Sequence, residues 1–206
     1  APSLVGSEMC IRDSCEPATV TNAKAVLRDG TTRLKKDGEI IHHHSGVAGF
    51  AEYAVLPKEA LVRIDKHIPF EHAALFGCGV VTGVGAVINT ASAREEDSIA
   101  IVGLGGVGLS ALLASIAIGS KKTIAIDLSN EKLNLAHELG ADHILNPNDA
   151  NFLERVRDLT SGGANIAIET AGSGRALKTA YDITRRGGTT VAAGMPGPKV
   201  DITLSH

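Results

Sequence analysis

The chain has 206 residues, with 20 Lys+Arg against 23 Asp+Glu and a formal net charge of −3, a balance that offers no electrostatic footprint for nucleic acid or an anionic membrane. Hydrophobic residues make up 44%, which excludes general disorder, while aromatics are 3% and glycines number 23, a mixture suited to parallel strands rich in Val, Ile and Ala joined by Gly turns. Three Cys cannot form a disulfide framework, so a reducing compartment and a cytoplasmic location are expected.

Residues 1–14 read as foreign to the fold. Leu4 to Ser14 resembles a translated sequencing-library adapter, and Glu8 and Asp13 interrupt any signal-peptide core. The fold reading therefore starts at residue 15, and the chain divides into residues 15–77 and 78–206. Up to residue 68, short apolar runs alternate with turn residues. Strands are expected at 39–42, 49–56 and 60–64, tight turns at Asp29-Gly30 and Asp37-Gly38, and no helix. The run His42-His43-His44 invites a metal reading, but neighbours on a strand point to opposite faces and cannot close on one ion.

From Pro69 the pattern changes. Pro69 and Glu71 open a helix, and a second covers about 80–91. Strands at 98–102, 123–127, 143–145, 166–170 and 189–193 then alternate with helices near 107–118, 130–139, 151–159 and 174–186, with Gly140 and Gly187 as C-terminal caps of two of them. This alternation predicts an α/β fold, a Rossmann-type doubly wound parallel sheet. Residues 73–92 and 98–120 are uncharged stretches, and the second is long enough to suggest a membrane helix. Its five glycines argue instead for a buried strand, a Gly turn and a buried helix.

Gly103-Leu-Gly-Gly-Val-Gly108 fits G-x-G-x-x-G directly after an apolar strand and at the start of a helix. Asp127 closes the next strand 19 residues later. That context is the dinucleotide-binding one: Gly103 for the tight turn, Gly105 for close approach of the pyrophosphate, Gly108 for close packing of the helix on the sheet. The helix N-terminus offers N–H groups and a positive dipole end to phosphate. Asp127 is placed either to accept hydrogen bonds from ribose hydroxyls or to cap the helix beside it. A carboxylate followed by Leu128, Ser129 and Asn130, with no Arg, favours NAD over NADP. On residue type alone, Cys78 reads as a buried small hydrophobe.

Gly77-Cys-Gly-Val-Val-Thr-Gly-Val-Gly-Ala86, Val102-Gly-Leu-Gly-Gly-Val-Gly-Leu109, Ile126-Asp127 and Lys132 together resemble the zinc-containing medium-chain alcohol dehydrogenases, over about residues 15–206. The resemblance implies part of a GroES-like β catalytic domain at 15–77 and a Rossmann domain at 78–206. It implies hydride transfer between NAD(H) and a small-molecule alcohol or aldehyde, zinc acting as Lewis acid in the parent enzyme, and a homodimer or homotetramer. By the same resemblance Cys78 matches a catalytic-zinc ligand and Thr82 a residue packed on the nicotinamide. Gly103, Leu104, Gly105, Gly106, Val107 and Gly108 match the pyrophosphate loop, Asp127 and Lys132 the ribose contacts, and Thr170, Ala193, Gly194 and Met195 the nicotinamide crevice. Cys15 resembles the last Cys of the structural-zinc lobe, although the spacing of Cys10 from Cys15 departs from that lobe's pattern. The family's other catalytic-zinc ligands and last Rossmann strand find no match, so the chain reads as an internal fragment, inactive alone. The alternatives are a zinc-free quinone oxidoreductase of the same superfamily and a non-catalytic dinucleotide-binding module.

Overall fold

The computed structural model describes residues 20–21, 23–27, 29–43, 52–53, 61–197 and 202. The chain forms two compact units, residues 1–78 and 79–206.

In the first unit, β1 (Leu34–Lys36) and β2 (Glu39–Ile41) pair antiparallel, with Lys36 opposite Glu39. Asp37 and Gly38 between them both have positive φ, 52° and 87°, as a two-residue hairpin turn matched to strand twist requires. The Asp29 turn is held by its carboxylate, which accepts from the Thr31 hydroxyl at 2.6 Å and the Thr31 amide at 3.0 Å. Those bonds, the hydroxyl's first, hold the Asp29 carboxyl below its usual range. Two expectations are corrected. Val20, Thr21, Ala23 and Lys24 are helical, so the region is not free of helix. Residues 61–64 form no strand: they are exposed, and none of the described strands pairs with them. Of the strand expected at 49–56, only Glu52 and Tyr53 lie among the described residues.

The segment 70–90 is helical throughout, not two separate helices: α1 (Phe70–Leu75), a wide π turn (Phe76–Val80), α2 (Val81–Gly85) and a second π turn (Ala86–Thr90). No proline or capping side chain interrupts it, and Gly77 and Gly79 are absorbed by the π geometry. By length and composition this run could cross a bilayer. Within it Gly83, Ala86 and Val87 are buried in the core of the second unit, and the rest of the run is half-buried or exposed.

That unit contains a five-stranded parallel sheet of β3 (Ser98–Val102), β4 (Lys122–Ile126), β5 (His143–Leu145), β6 (Ala164–Glu169) and β7 (Thr184–Ala192), in spatial order β5-β4-β3-β6-β7. The connections are α3 (Gly106–Ala117), α4 (Asn130–Glu138), α5 (Phe152–Thr160) and α6 (Gly174–Ile183). Both sheet faces are buried. Ile99, Ile101, Ile166 and Ile168 pack with Val87, Leu112, Leu133 and Ala136 on one side. Ala100, Val102, Ile124 and Ile126 pack with Phe152, Val156, Ala180 and Ile183 on the other. Continuous apolar strands, where alternation is absent, are the sequence mark of that double burial. This is the doubly wound α/β arrangement that the alternation predicted, and β3 is where the strand order reverses.

Uncharged residues 98–120 resolve into β3, a Gly turn and α3, as expected. Gly140 follows α4 with φ 105° and donates to His137 O at 3.0 Å. The end of α6 is different: it stops at Ile183, not 186, because Thr184 is already extended, with ψ 132°. Thr184 pairs with Ala164, and Ile166 pairs with Thr189, so β7 carries a bulge. Gly187, φ 73°, serves that bulge and caps no helix.

Candidate functional site

In a doubly wound sheet, ligands bind outside the carboxyl ends of the strands at the reversal of strand order. The Gly turn leaves β3 there. Gly103 has φ 97°, and a Cβ on it would lie 2.8 Å from Ala171 N. Gly108 has no room for one either: it would overlap Gly103 O and come within 2.8 Å of Thr170 Oγ1. Gly105 and Gly106 differ. They are exposed, and a Cβ on either would meet nothing within 4 Å. No side chain caps α3 at Gly105, so the first turn of the helix opens on this free space. A phosphate group fits there: the space is what two side chains would occupy, and the unpaired N–H groups of a helix's first turn are suited to bind it.

Leu104 points the other way. Its side chain is buried in the core, and its N–H donates to Asp127 Oδ2 at 2.7 Å. Asp127 Oδ1 accepts from Ser129 N at 2.9 Å, and Lys132 Nζ stands 3.8 Å from Oδ2. One carboxylate thus ties the Gly turn to the start of α4. Ser129 itself caps α4 through its hydroxyl, so Asp127 is not the helix cap. Thr170 Oγ1 donates to Gly103 O at 2.6 Å and braces the turn from β6.

A cavity of about 250 Å³ opens beside these groups. Val102, Gly103, Asp127, Leu128 and Lys132 line it, together with residues the motif reading did not reach: Pro147, Ala171, Ser173, Arg175 and Thr179. The first three follow the ends of β5 and β6, and the other two lie on α6, which follows β6; position after a parallel strand was the signal that could have found them. Arg175 matters most. The sequence places no Arg after Asp127, yet the fold brings this one into the same cavity, where it also donates to Asn148 Oδ1. Ala193, Gly194 and Met195 follow β7, with Ala193 N and Gly194 N donating to Glu169 O at 2.8 and 3.0 Å. A larger cavity of about 1010 Å³ lies at the opposite pole, lined by Arg157, Arg185 and Arg186 among others, away from the Gly turn.

Cys78, in the first π turn, is exposed, which corrects its reading as a buried hydrophobe. Thr82 lies half-buried on α2. Cys15 lies outside the described residues, as does His44. His42 is exposed, while His43 is buried and its Nε2 accepts from Arg33 N at 3.2 Å. Among the described residues no three His, Cys, Asp or Glu side chains converge as a metal site. Cys78 by itself does not hold a zinc ion, so these residues do not complete a zinc centre.

Comparison with known proteins agrees with the fold. Residues 106–206 match the zinc-binding dehydrogenase family model. The S-(hydroxymethyl)glutathione dehydrogenase of Synechocystis sp. is 34% identical over 192 residues, 92% of this chain and 52% of that protein. An Escherichia coli protein of the same name matches to the same extent. An alcohol dehydrogenase zinc-binding domain protein from Burkholderia ambifaria superposes with a TM-score of 0.84 at 34% identity, over 92% of this chain and 52% of its own. Benzyl alcohol dehydrogenase from Acinetobacter calcoaceticus superposes with a TM-score of 0.73 at 32% identity, over 83% of this chain and 49% of its own. The chain spans about half the length of the curated relatives it matches. Residues 106–206 thus carry the sequence pattern of the zinc-binding dehydrogenase family, and the doubly wound sheet has the fold of these alcohol dehydrogenase structures.

Proposed function

We propose that this chain binds NAD(H) at the carboxyl ends of β3, β4 and β6, as the cofactor-binding part of an NAD-dependent alcohol dehydrogenase. The carrying observation is the open space over Gly105 and Gly106 at an uncapped helix start, with the Asp127 carboxylate in the adjoining cavity. The N–H groups of the first turn of α3 take the pyrophosphate. Asp127 Oδ1 and Oδ2 keep lone pairs free for the adenine-ribose hydroxyls, and Lys132 stands beside them. Pro147 and Arg175 give the base an apolar ring and a flat guanidinium to rest on. The segment 193–195, with Thr82 on α2, serves the nicotinamide half. When bound, NAD supplies the ring that accepts or gives up the hydride. The substrate is a small alcohol or aldehyde, consistent with the names its relatives carry. The protein works in the cytoplasm, on its cysteine usage, as a homodimer or homotetramer.

Cys78 is proposed as one ligand of the family's catalytic zinc. The described residues supply no further ligands to it, so no metal-dependent step is derived from them. The second reading is a non-catalytic or zinc-free dinucleotide-binding protein, for which the crevice lined by Asp127 and Lys132 would serve alone. Titration with NADH, followed by nicotinamide fluorescence, tests the cofactor reading, and saturable uptake is the expected result. Alcohol oxidation with and without added zinc separates the two readings: turnover that rises with zinc supports the first, and turnover indifferent to zinc supports the zinc-free form of the second.

A further inference from the structure

Among the described residues, Glu169 is the one buried acid, at 2% exposure. It is the last residue of β6 and pairs with Val102, the last residue of β3, so it sits at the reversal of strand order. Its side chain and its backbone go to two different loops. Oε1 accepts from Gly172 N at 2.6 Å, in the loop before α6. Its carbonyl accepts from Ala193 N and Gly194 N, in the loop after β7. The two loops are packed to backbone contact. A Cβ on Gly194 would overlap Gly172 N and lie 2.7 Å from Glu169 Oε2. A Cβ on Gly172 would lie 2.5 Å from Met195 O, and Gly172 has φ 69°. Next to Gly172, Ala171 packs against Gly103 of the Gly turn and lines the cavity beside Asp127. Contacts therefore run unbroken from Gly194 through Gly172 and Ala171 to Gly103.

A buried carboxyl group is costly unless its acceptors are used. An apolar side chain would avoid that cost but leave Gly172 N–H without this acceptor. We infer that Glu169 is a positioning residue for the nicotinamide half of the cofactor, holding the 193–195 loop in register with the Gly turn through Gly172. The inference rests on the dinucleotide reading above. Asp127, Leu128 and Pro147 lie over the β4–β5 half of the sheet and serve the adenosine half. The 193–195 loop lies past β7, over the other half. Loosening the Glu169 contacts thus acts mainly on the nicotinamide end.

The test uses the whole 206-residue chain with two probes, NADH and 5′-AMP, the second read by calorimetry. Glu169→Ala should weaken NADH about tenfold or more while AMP stays within about threefold, the size expected for one buried unpaired donor. Glu169→Gln, which keeps an acceptor for Gly172 N–H, should restore NADH binding to within about threefold of the parent. Gly194→Ala, which forces the loops apart without touching the carboxyl group, should reproduce the Glu169→Ala pattern, and it decides the matter if Glu169→Ala does not fold. Unchanged NADH binding in the folded variants overturns the assignment. So does a fall in AMP affinity that keeps pace with NADH, because that marks a general structural role. If the unsubstituted chain takes up neither probe, the dinucleotide reading itself fails, a result distinct from either of these.

Discussion

Gly105 and Gly108 are three residues apart and are glycines for opposite reasons. Gly108 is buried, and a methyl group there would overlap Gly103 O. Gly105 is exposed, has an ordinary φ of −81°, and faces open space. Gly105→Val should therefore leave thermal stability within about 0.5 kcal/mol while lowering NADH affinity about tenfold or more, since its methyl groups take the phosphate volume. Calorimetric melting beside fluorescence titration checks it, and a large loss of stability with unchanged affinity would reverse the argument. Gly108→Ala should lose both, with a stability cost of about 1–3 kcal/mol for overpacking. On the proposed NAD reading, Asp127 sets the choice of cofactor. Its carboxylate disfavours a 2′-phosphate, so NADH should bind well ahead of NADPH. Asp127→Ser leaves Lys132 and Arg175 as the charged groups lining that cavity and should narrow the gap at least about tenfold. Because Asp127 also accepts from Leu104 N and Ser129 N, the same change should cost about 1–3 kcal/mol of stability. Titrations with both nucleotides, run beside a melt, measure the two effects separately.

At the scale of elements, the close approach of α2 to α3 rests on Gly83. A Cβ there would overlap Val107 O and lie 2.7 Å from Ser110 Cβ. Gly83→Ala should cost about 1–3 kcal/mol, a fall in Tm of several degrees for a chain of this size. It should also disturb Thr82, the residue before it. Helix α5 ends on a different device: Lys122 Nζ, from the first residue of β4, donates to Leu159 O at 2.7 Å and places a cation at the helix C-terminus. Lys122→Met keeps the aliphatic stem and removes the donor, so about 0.5–1.5 kcal/mol should be lost, read from denaturant midpoints. Strand β3, β5 and the starts of α4 and α6 were legible in the sequence because the alternation of apolar runs with helical stretches is a local signal. The early end of α6 was not. Thr184 leaves the helix to pair with Ala164, a residue 20 positions away, and periodicity within α6 carries no trace of that partner.

For the molecule as a whole, the strand order β5-β4-β3-β6-β7 gathers every crevice loop at one pole of the sheet. NADH should accordingly slow amide hydrogen exchange at 103–108, 127–129, 171–173 and 193–195. It should leave the loops at the other pole, 119–121, 139–141 and 161–163, nearly unchanged. Exchange read by mass spectrometry gives the comparison, and protection at the opposite pole, near the Arg185 and Arg186 cavity, would relocate the site. Within the sheet, amides of β3, β4 and β6 should exchange slowest, because their side chains are buried on both faces.

The class of fold, the Gly turn and Asp127 could be read from the chain without coordinates. A parallel strand buried on two faces needs an unbroken apolar run, and a turn that admits phosphate needs glycine at fixed offsets; both requirements fall on neighbouring residues. Arg175 in the cavity, Glu169 between two loops and the tight seat of Gly83 on α3 could not be read that way. Glu169 and Gly194 are 25 residues apart, and Asp127 and Arg175 are 48 apart. Their meeting depends on which strand lies beside which, and strand order is settled by packing both faces of one sheet at once, a condition that no local stretch of sequence contains.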